Sequence, residues 1–139
     1  MPQSNKGVNG STLAPEDPLN ERLSSGAENY LLCLYRMWED SEVPTITQLT
    51  DTLKRLPQTE GLGTSVPSVA GMIRRMQRQA LVDLGEDKRI RLTDKGLEGG
   101  VNIARRHRLA EWLVVRLLGM ELYQGHNEAH RLEHGISAE

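Results

Sequence analysis

All four histidines of the chain fall between residues 107 and 134, interleaved with glutamates at helical spacing. His107 and Glu111 stand four residues apart, so on a helix they share a face. His126, His130, Glu133 and His134 follow in a second segment. At about 100° per residue these four lie within roughly 100° of one another around a helix axis. Glu128 points the other way and is left out. Imidazole nitrogen and carboxylate oxygen together suit divalent first-row ions: manganese, iron, cobalt, nickel and zinc. A metal site needs ligands converging from more than one element, and two helices supply them here. Surface His–Glu pairing has the same spacing and is worth a few tenths of a kcal/mol per pair. Spacing alone therefore leaves both readings open.

The elements that must position these side chains follow from periodicity. Residues 1–24 hold Pro2, Pro15 and Pro18 among Gly, Ser and Asn, and read as a disordered tail. A first helix begins near Ser25, where Ser25 and Glu28 form an S-x-x-E capping box. Ala27, Tyr30, Leu31, Leu34 and Trp38 give it a buried face, and residues 39–44 end it. A second, short helix runs from about Thr45, with Thr45 and Gln48 as its capping box and Ile46, Leu49 and Leu53 on one face. Residues 55–64 form a loop bearing Gly and Pro. A third helix starts at Ser65, tolerates Pro67 in its first turn, and turns Val69, Ile73, Met76 and Ala80 inward. Two extended pieces, residues 82–84 and 89–92, flank a turn at residues 85–88. Thr93 caps a long helix reaching about Gly119, weakened by Gly96, Gly99 and Gly100 at about 1 kcal/mol each relative to Ala. A last helix covers residues 122–136.

Helix, short helix, helix and basic hairpin is the order of a winged helix-turn-helix. Its third helix would enter the major groove while the hairpin touches the backbone. The net charge of −2 excludes a protein that coats nucleic acid through bulk charge. The average conceals Arg74, Arg75, Arg78, Lys88, Arg89 and Arg91 against Asp83, Glu86 and Asp87. A specific DNA reader needs such a local excess, although a solvated helix face has it too. With no Phe and 4% aromatics, the core must be built from Leu, Ile, Val, Met and Ala. No apolar run approaches the roughly 20 residues that span a bilayer, and the polar N-terminus has no signal-peptide core. The single cysteine, Cys33, allows no internal disulfide and fits a reducing cytoplasm. It reads as core packing, as do Tyr30, Tyr35, Trp38 and Trp112.

Three segments together resemble the diphtheria-toxin-repressor family, which includes iron-dependent repressors and manganese transport regulators. The first is Glu28-Asn29-Tyr30-Leu31 with Leu34-Tyr35. The second is Ser65-Val66-Pro67-Ser68-Val69, continuing through Arg75-Met76 and Ala80-Leu81-Val82 to Arg91-Leu92-Thr93-Asp94-Lys95-Gly96. The third is Arg106-His107-Arg108-Leu109-Ala110-Glu111 with the H-x-E-A-x-R-x-E-H run His126–His134 and Ile136-Ser137. The resemblance spans residues 26–139, and its last segment is the most specific.

The resemblance implies a mainly α fold: a winged helix-turn-helix DNA-binding domain over residues 25–96, then a helical metal-binding and dimerisation segment over 97–139. It implies an ancillary metal site from His107, Glu111 and His126, and a regulatory site from Asn29, His130, Glu133 and His134. It puts Ser65, Pro67, Ser68 and Arg75 at the recognition helix; the basic side chains Arg74, Arg78, Lys88 and Arg89 join them as expected DNA contacts. The implied function is a dimeric cytoplasmic repressor of metal-uptake genes, bound to an operator in duplex DNA and activated by Mn2+ or Fe2+.

The chain departs from the family's pattern in ways that leave the metal open. His130 stands where iron-type members carry Cys and manganese-type members Glu. Asn29 stands where they carry Met or Asp, and Leu32 cannot supply the carboxylate of manganese-type members. A nitrogen-rich set tilts toward Zn2+, Co2+ or Ni2+. The loop at 55–64 is longer than an ordinary helix-turn-helix turn. Family members continue into further dimerisation helices, whereas the sequence stops at Glu139, so either it is truncated or the last two helices carry dimerisation. The apolar run over residues 109–122 supports dimerisation, and the segment reads as truncated. Three other readings stand behind this one: a winged-helix regulator that has lost metal control, a degraded or truncated paralogue that binds neither DNA nor metal, and a small metalloenzyme. The enzyme ranks lowest, because there is no H-E-x-x-H motif and an enzyme has no need of a basic wing.

Overall fold

The computed structural model describes residues 23–56 and 63–136, so the expected tail over 1–22 and most of the loop at 55–64 lie outside the described residues. Among the described residues the chain is mainly helical, with one two-stranded sheet. Helices α1 (Ser25–Glu39), α2 (Ile46–Arg55) and α3 (Val66–Arg78) precede the hairpin of β1 (Val82–Leu84) and β2 (Ile90–Leu92). Helix α4 (Asp94–Trp112) runs into a π-helical turn (Leu113–Leu117), and α5 (Leu122–Glu133) closes the order.

Local chemistry starts each helix. Thr45 and Gln48 make both halves of the expected capping box, with Gln48 N donating to Thr45 Oγ1 at 3.3 Å and Thr45 N to Gln48 Oε1 at 2.9 Å. Ser65 caps α3 by accepting from Ser68 N at 3.3 Å, and Pro67 sits in the first turn, where its missing N–H has no helical partner to lose. At α1 the expectation fails. The cap is Ser24, which accepts from Ala27 N at 3.2 Å, not Ser25. Glu28 takes no part in a box; its side chain is buried against α4.

The core forms where the apolar faces of α1, α2 and α3 meet. Leu31, Leu49, Leu53, Val69, Ile73 and Met76 are each almost fully buried, and Ile103 and Ala104 of α4 close the same cluster. Trp38 and Ala80, both expected in it, are outside it. Trp38 is half exposed and stacks on Tyr35 with ring centroids 5.7 Å apart. Ala80 lies past the end of α3, exposed, at φ 56°, where the chain turns into the wing.

The wing is antiparallel, with Val82 opposite Leu92 and Leu84 opposite Ile90. It is pinned to the α1–α2 connection. Ile90 N donates to Pro44 O at 2.8 Å, and Arg89 pairs with Thr45 in an isolated bridge. The second strand accordingly begins at Ile90, one residue later than expected.

Helix α4 starts at the expected Thr93 cap and crosses residues 96 and 97 without a break, where the sequence placed a domain boundary. It is shorter than expected: regular winding stops at Trp112, the π turn widens the next stretch, and Gly119 at φ 65° redirects the chain. Helix α5 likewise ends at Glu133 rather than 136. Ala110 and Val114 pack on Ala129 in a small second cluster. Trp112, expected in the core, is 58% exposed beside exposed Leu109, Leu117 and Leu118.

Candidate metal centre

Helices α4 and α5 lie side by side, and His107, His126 and His130 meet across the seam between them. His107, midway along α4, is 3% exposed, and Glu133, at the end of α5, is fully buried. They are hydrogen-bonded through His107 Nδ1 and Glu133 Oε2. The other ring nitrogen, Nε2, lies 3.3 Å from Glu111 Oε2. His126 Nδ1 reaches the same Glu111 oxygen at 3.2 Å. His107, Glu111 and His126 thus offer three donor atoms within 4.8 Å of one another.

A second cluster grows from the same histidine. His107, His130 and Glu133 also bring ligand atoms within 4.8 Å of one another. His130 Nδ1 lies 2.9 Å from Glu133 Oε1. His134 Nε2 lies 3.7 Å from that oxygen. Asn29 of α1 lines a small cavity with His130, Cys33 and Arg36. The structure therefore brings five of the seven expected ligands into two clusters joined at His107, and leaves His134 and Asn29 at the edge of the second rather than within it. Glu128 pairs with Arg131 at 2.6 Å, outside both.

Several donor atoms of this set have no partner of their own. His107 Nε2, both ring nitrogens of His130, Glu133 Oε1 and Asn29 Oδ1 are buried without a hydrogen-bond partner. Leaving such groups unpaired costs about 1–3 kcal/mol each. His130 Nδ1 approaches Glu133 Oε1 without hydrogen-bond geometry, so the bonding capacity of both atoms is unmet there. A divalent ion accepts lone pairs from such nitrogens and oxygens, so the residues present fit one. Burial pushes the Glu133 carboxyl up, but contacts and charge from His107 and His130 outweigh it and hold Glu133 at about 2. Glu133 is thereby kept as the anion that ligation needs.

Sequence reasoning missed two residues here. Arg106, one position before His107, pairs with Glu28 Oε2 at 2.5 Å. His134 Nδ1 lies 3.6 Å from that same Glu28 oxygen. Both residues stood in the quoted segments, but a capping assignment hid Glu28 and a run of basic residues hid Arg106.

The expected DNA-contacting residues lie on another face. Ser65, Pro67, Ser68, Arg74, Arg75, Arg78 and Lys88 are exposed. The Ser65 and Ser68 hydroxyls are 2.9 Å apart and bonded to each other. Arg89 differs: it is half-buried, and its guanidinium donates to Val43 O at 2.5 Å, bracing the wing. Arg91 is held by Asp87 through bonds of 3.0 and 2.7 Å. No helix among the described residues is long and apolar enough to cross a membrane.

Comparison with known proteins agrees with this geometry. Residues 93–139 match the family described as iron dependent repressor, metal binding and dimerisation domain. The diphtheria toxin repressor of Corynebacterium glutamicum is 31% identical over 112 residues, which is 81% of this chain and 45% of that protein. The iron-dependent repressor IdeR of Mycobacterium tuberculosis is 31% identical over 119 residues, 86% of this chain and 47% of that one. Among solved structures, the manganese regulator SloR superposes with a TM-score of 0.64 at 27% identity, over 83% of this chain and 49% of that one. A manganese-dependent transcriptional repressor in complex with manganese gives a TM-score of 0.59 at 33% identity, over 80% and 47%. The chain spans about half the length of the relatives it matches. Its residues 93–139 thus match the metal-binding and dimerisation domain of iron-dependent repressors, and most of its length is similar to proteins of the diphtheria-toxin-repressor family.

Proposed function

We propose that the chain is a metal-dependent DNA-binding transcriptional regulator, a cytoplasmic repressor of metal-uptake genes activated by Mn2+ or Fe2+ and not an enzyme. The observation that carries this reading is the pair of His/Glu clusters on the α4–α5 seam with unsatisfied donor atoms in the buried one. His107, Glu111 and His126 would hold one ion; His130, Glu133 and His134, with Asn29 from α1, would hold the other. The four imidazoles favour Zn2+, Co2+ or Ni2+ over a carboxylate-rich preference for Mn2+, so those ions belong in the same test. When bound, the ion supplies a fixed point of attachment between α5 and α1.

The division of labour follows the elements. Residues 25–96 form the DNA-reading module, with Arg74, Arg75 and Arg78 on exposed α3 and Lys88 at the wing tip. Residues 97–139 form the metal-binding and dimerisation segment, and exposed Leu109, Trp112, Leu117 and Leu118 offer a face for a second copy. Two recognition helices fit successive half-sites only when they stand about 34 Å apart. Fixing α1 against α5 selects the orientation that meets that spacing. Metal then tightens DNA binding, and DNA tightens metal binding by the same factor. Because the ligands must be deprotonated, activation weakens as pH falls.

The test is an operator-selection and gel-shift experiment with each metal, run beside His130→Ala. Metal-dependent retention of a selected duplex, lost in the variant, supports the reading. Equal retention with and without metal in both proteins leaves a winged-helix regulator without metal control.

A further inference from the structure

Glu28 and Arg106 belong to neither ligand cluster, yet they form a largely buried ion pair of 2.5 Å, with side chains 5% and 15% exposed. The pair joins three helices. Glu28 is on α1, next to Asn29. Arg106 is on α4, next to His107. The second arm of the guanidinium donates to the carbonyls of Ile136 at 3.2 Å and Glu133 at 3.4 Å, and so caps the last turn of α5. The chain end of a helix is where winding frays, and this is the turn that carries Glu133 and His134.

The two nitrogens of His134 face different partners. Nε2 lies 3.7 Å from Glu133 Oε1, on the side of the candidate centre. Nδ1 lies 3.6 Å from Glu28 Oε2, on the side of α1. A carboxylate behind a ligating histidine fixes the ring's tautomer and orientation and raises its donor strength. We propose that Glu28, held in place by Arg106, is the positioning residue for His134, and that this pair ties the centre on α5 to α1 of the DNA-reading module. The inference rests on the reading of His134 as a metal ligand.

The chemistry of the pair fits the role. An arginine offers several donors in a rigid planar fork, so one side chain bonds a carboxylate and two carbonyls at fixed angles. A lysine in its place keeps the charge for Glu28 and loses the fork. Helix α1 then meets the centre at two consecutive residues: Asn29 through the cavity it shares with His130, and Glu28 through the far side of His134. Any shift of His134 toward an ion is passed to Glu28, and through it to the start of α1.

The experiment uses the full chain and Co2+ as probe, because the cobalt ligand-field band reports donor geometry as well as occupancy. Titrations of the parent protein, Glu28→Gln, Arg106→Lys and the double variant Glu28→Gln/Arg106→Gln are compared, with metal-free thermal melts alongside. Glu28→Gln is expected to bind about 10- to 100-fold more weakly, the usual loss for an outer-shell partner, with a shifted band. Arg106→Lys is expected to fall between it and the parent. The double variant removes both charges, leaves no uncompensated ion in the interior, and serves as the folded reference if a single variant fails to fold; it is expected to show the same weakening and shift. A purely structural pair would lower the melting temperature and leave the band of the loaded protein unchanged. Folded variants with the parent's affinity and band overturn the proposal while the metal-sensor reading stands. A parent protein that binds no Co2+ removes that reading, and the proposal with it.

Discussion

His107 on α4 and Glu133 on α5 are hydrogen-bonded across the helix seam, Nδ1 to Oε2. That one bond leaves His107 Nε2 turned toward Glu111 and Glu133 Oε1 turned toward His130. The two clusters therefore share a hinge. His107→Ala is expected to abolish tight metal binding at both clusters, whereas His126→Ala abolishes it at one. It also removes the hydrogen-bond partner of a fully buried carboxylate, so the metal-free protein should lose about 1–3 kcal/mol. Cobalt stoichiometry by titration and urea denaturation check the two halves. A His107→Ala protein that still fills the His130 cluster at parental affinity would refute the shared hinge.

The arginines of the basic face should separate by experiment into two kinds. Arg74 and Arg78 are exposed on α3. Replacing either with Ala is expected to weaken DNA binding and, where it touches phosphate, to lower the salt-dependence slope by about one. The fold should be untouched. Arg89 is spent on Val43 O. Its replacement should cost stability of about 1 kcal/mol, the usual net worth of a hydrogen bond, through a loosened wing. Fluorescence anisotropy against salt, paired with thermal melts, distinguishes the two. Equal loss of stability in Arg74→Ala and Arg89→Ala would contradict the assignment.

Gly96 shows where sequence reading stops. By propensity it looks like a weak point in α4, and Ala there should stabilise by about 1 kcal/mol. The structure reverses the sign. A Cβ at Gly96 would stand 1.8 Å from Leu81 O, and one at Gly100 would stand 2.8 Å from Tyr35 Cβ. Both glycines are sites of close approach, and overfilling them costs typically about 1–3 kcal/mol. Gly96→Ala should therefore lower the urea midpoint; a raised midpoint would restore the propensity argument. The periodic signals were legible because they are local: the Thr45–Gln48 box, the Thr93 cap and the inward faces of α2 and α3. The cluster residues were legible because all four histidines share one stretch. The long-range partners of Glu28 and Gly96 were not, since a capping pattern and a helix scale see only neighbours in sequence. The exposed Trp38 and Trp112 were missed for a related reason. Spacing marks an apolar face but does not say whether this chain or a second copy covers it.

That second copy has its own test. Trp112, Leu117 and Leu118 are exposed and lie beside the second core cluster of Ala110, Val114 and Ala129. Large apolar side chains left exposed so close together in sequence suit an association site. Leu117→Glu is expected to convert dimer to monomer with little change in helical content, because Leu117 contributes little to the chain's own core. Light scattering coupled to size exclusion reads the mass, and circular dichroism reads the fold. A variant that stays dimeric moves the interface elsewhere.

Cys33 gives a pH prediction whose sign is fixed by burial. The side chain is 4% exposed, and desolvation pushes the thiol up to about 11 from 9.0, against the opposing charge of Arg36. In the unfolded chain the thiol ionises near the ordinary value; in the folded chain it stays neutral for about two further pH units. The unfolded state thus binds fewer protons between pH 9 and 11, and stability must fall as pH rises through that window. Burial also raises Tyr30, with Cys33 adding to it, so it acts in the same direction. At pH 8 the native thiol should react with an aromatic disulfide only at the rate of opening, whereas the chain in guanidinium reacts at once. Replacing Cys33 with Ala should flatten part of the alkaline loss, at a cost of a small cavity in the core. A native thiol that reacts at pH 8 as fast as the unfolded one would mean that α1 does not hold Cys33 inside.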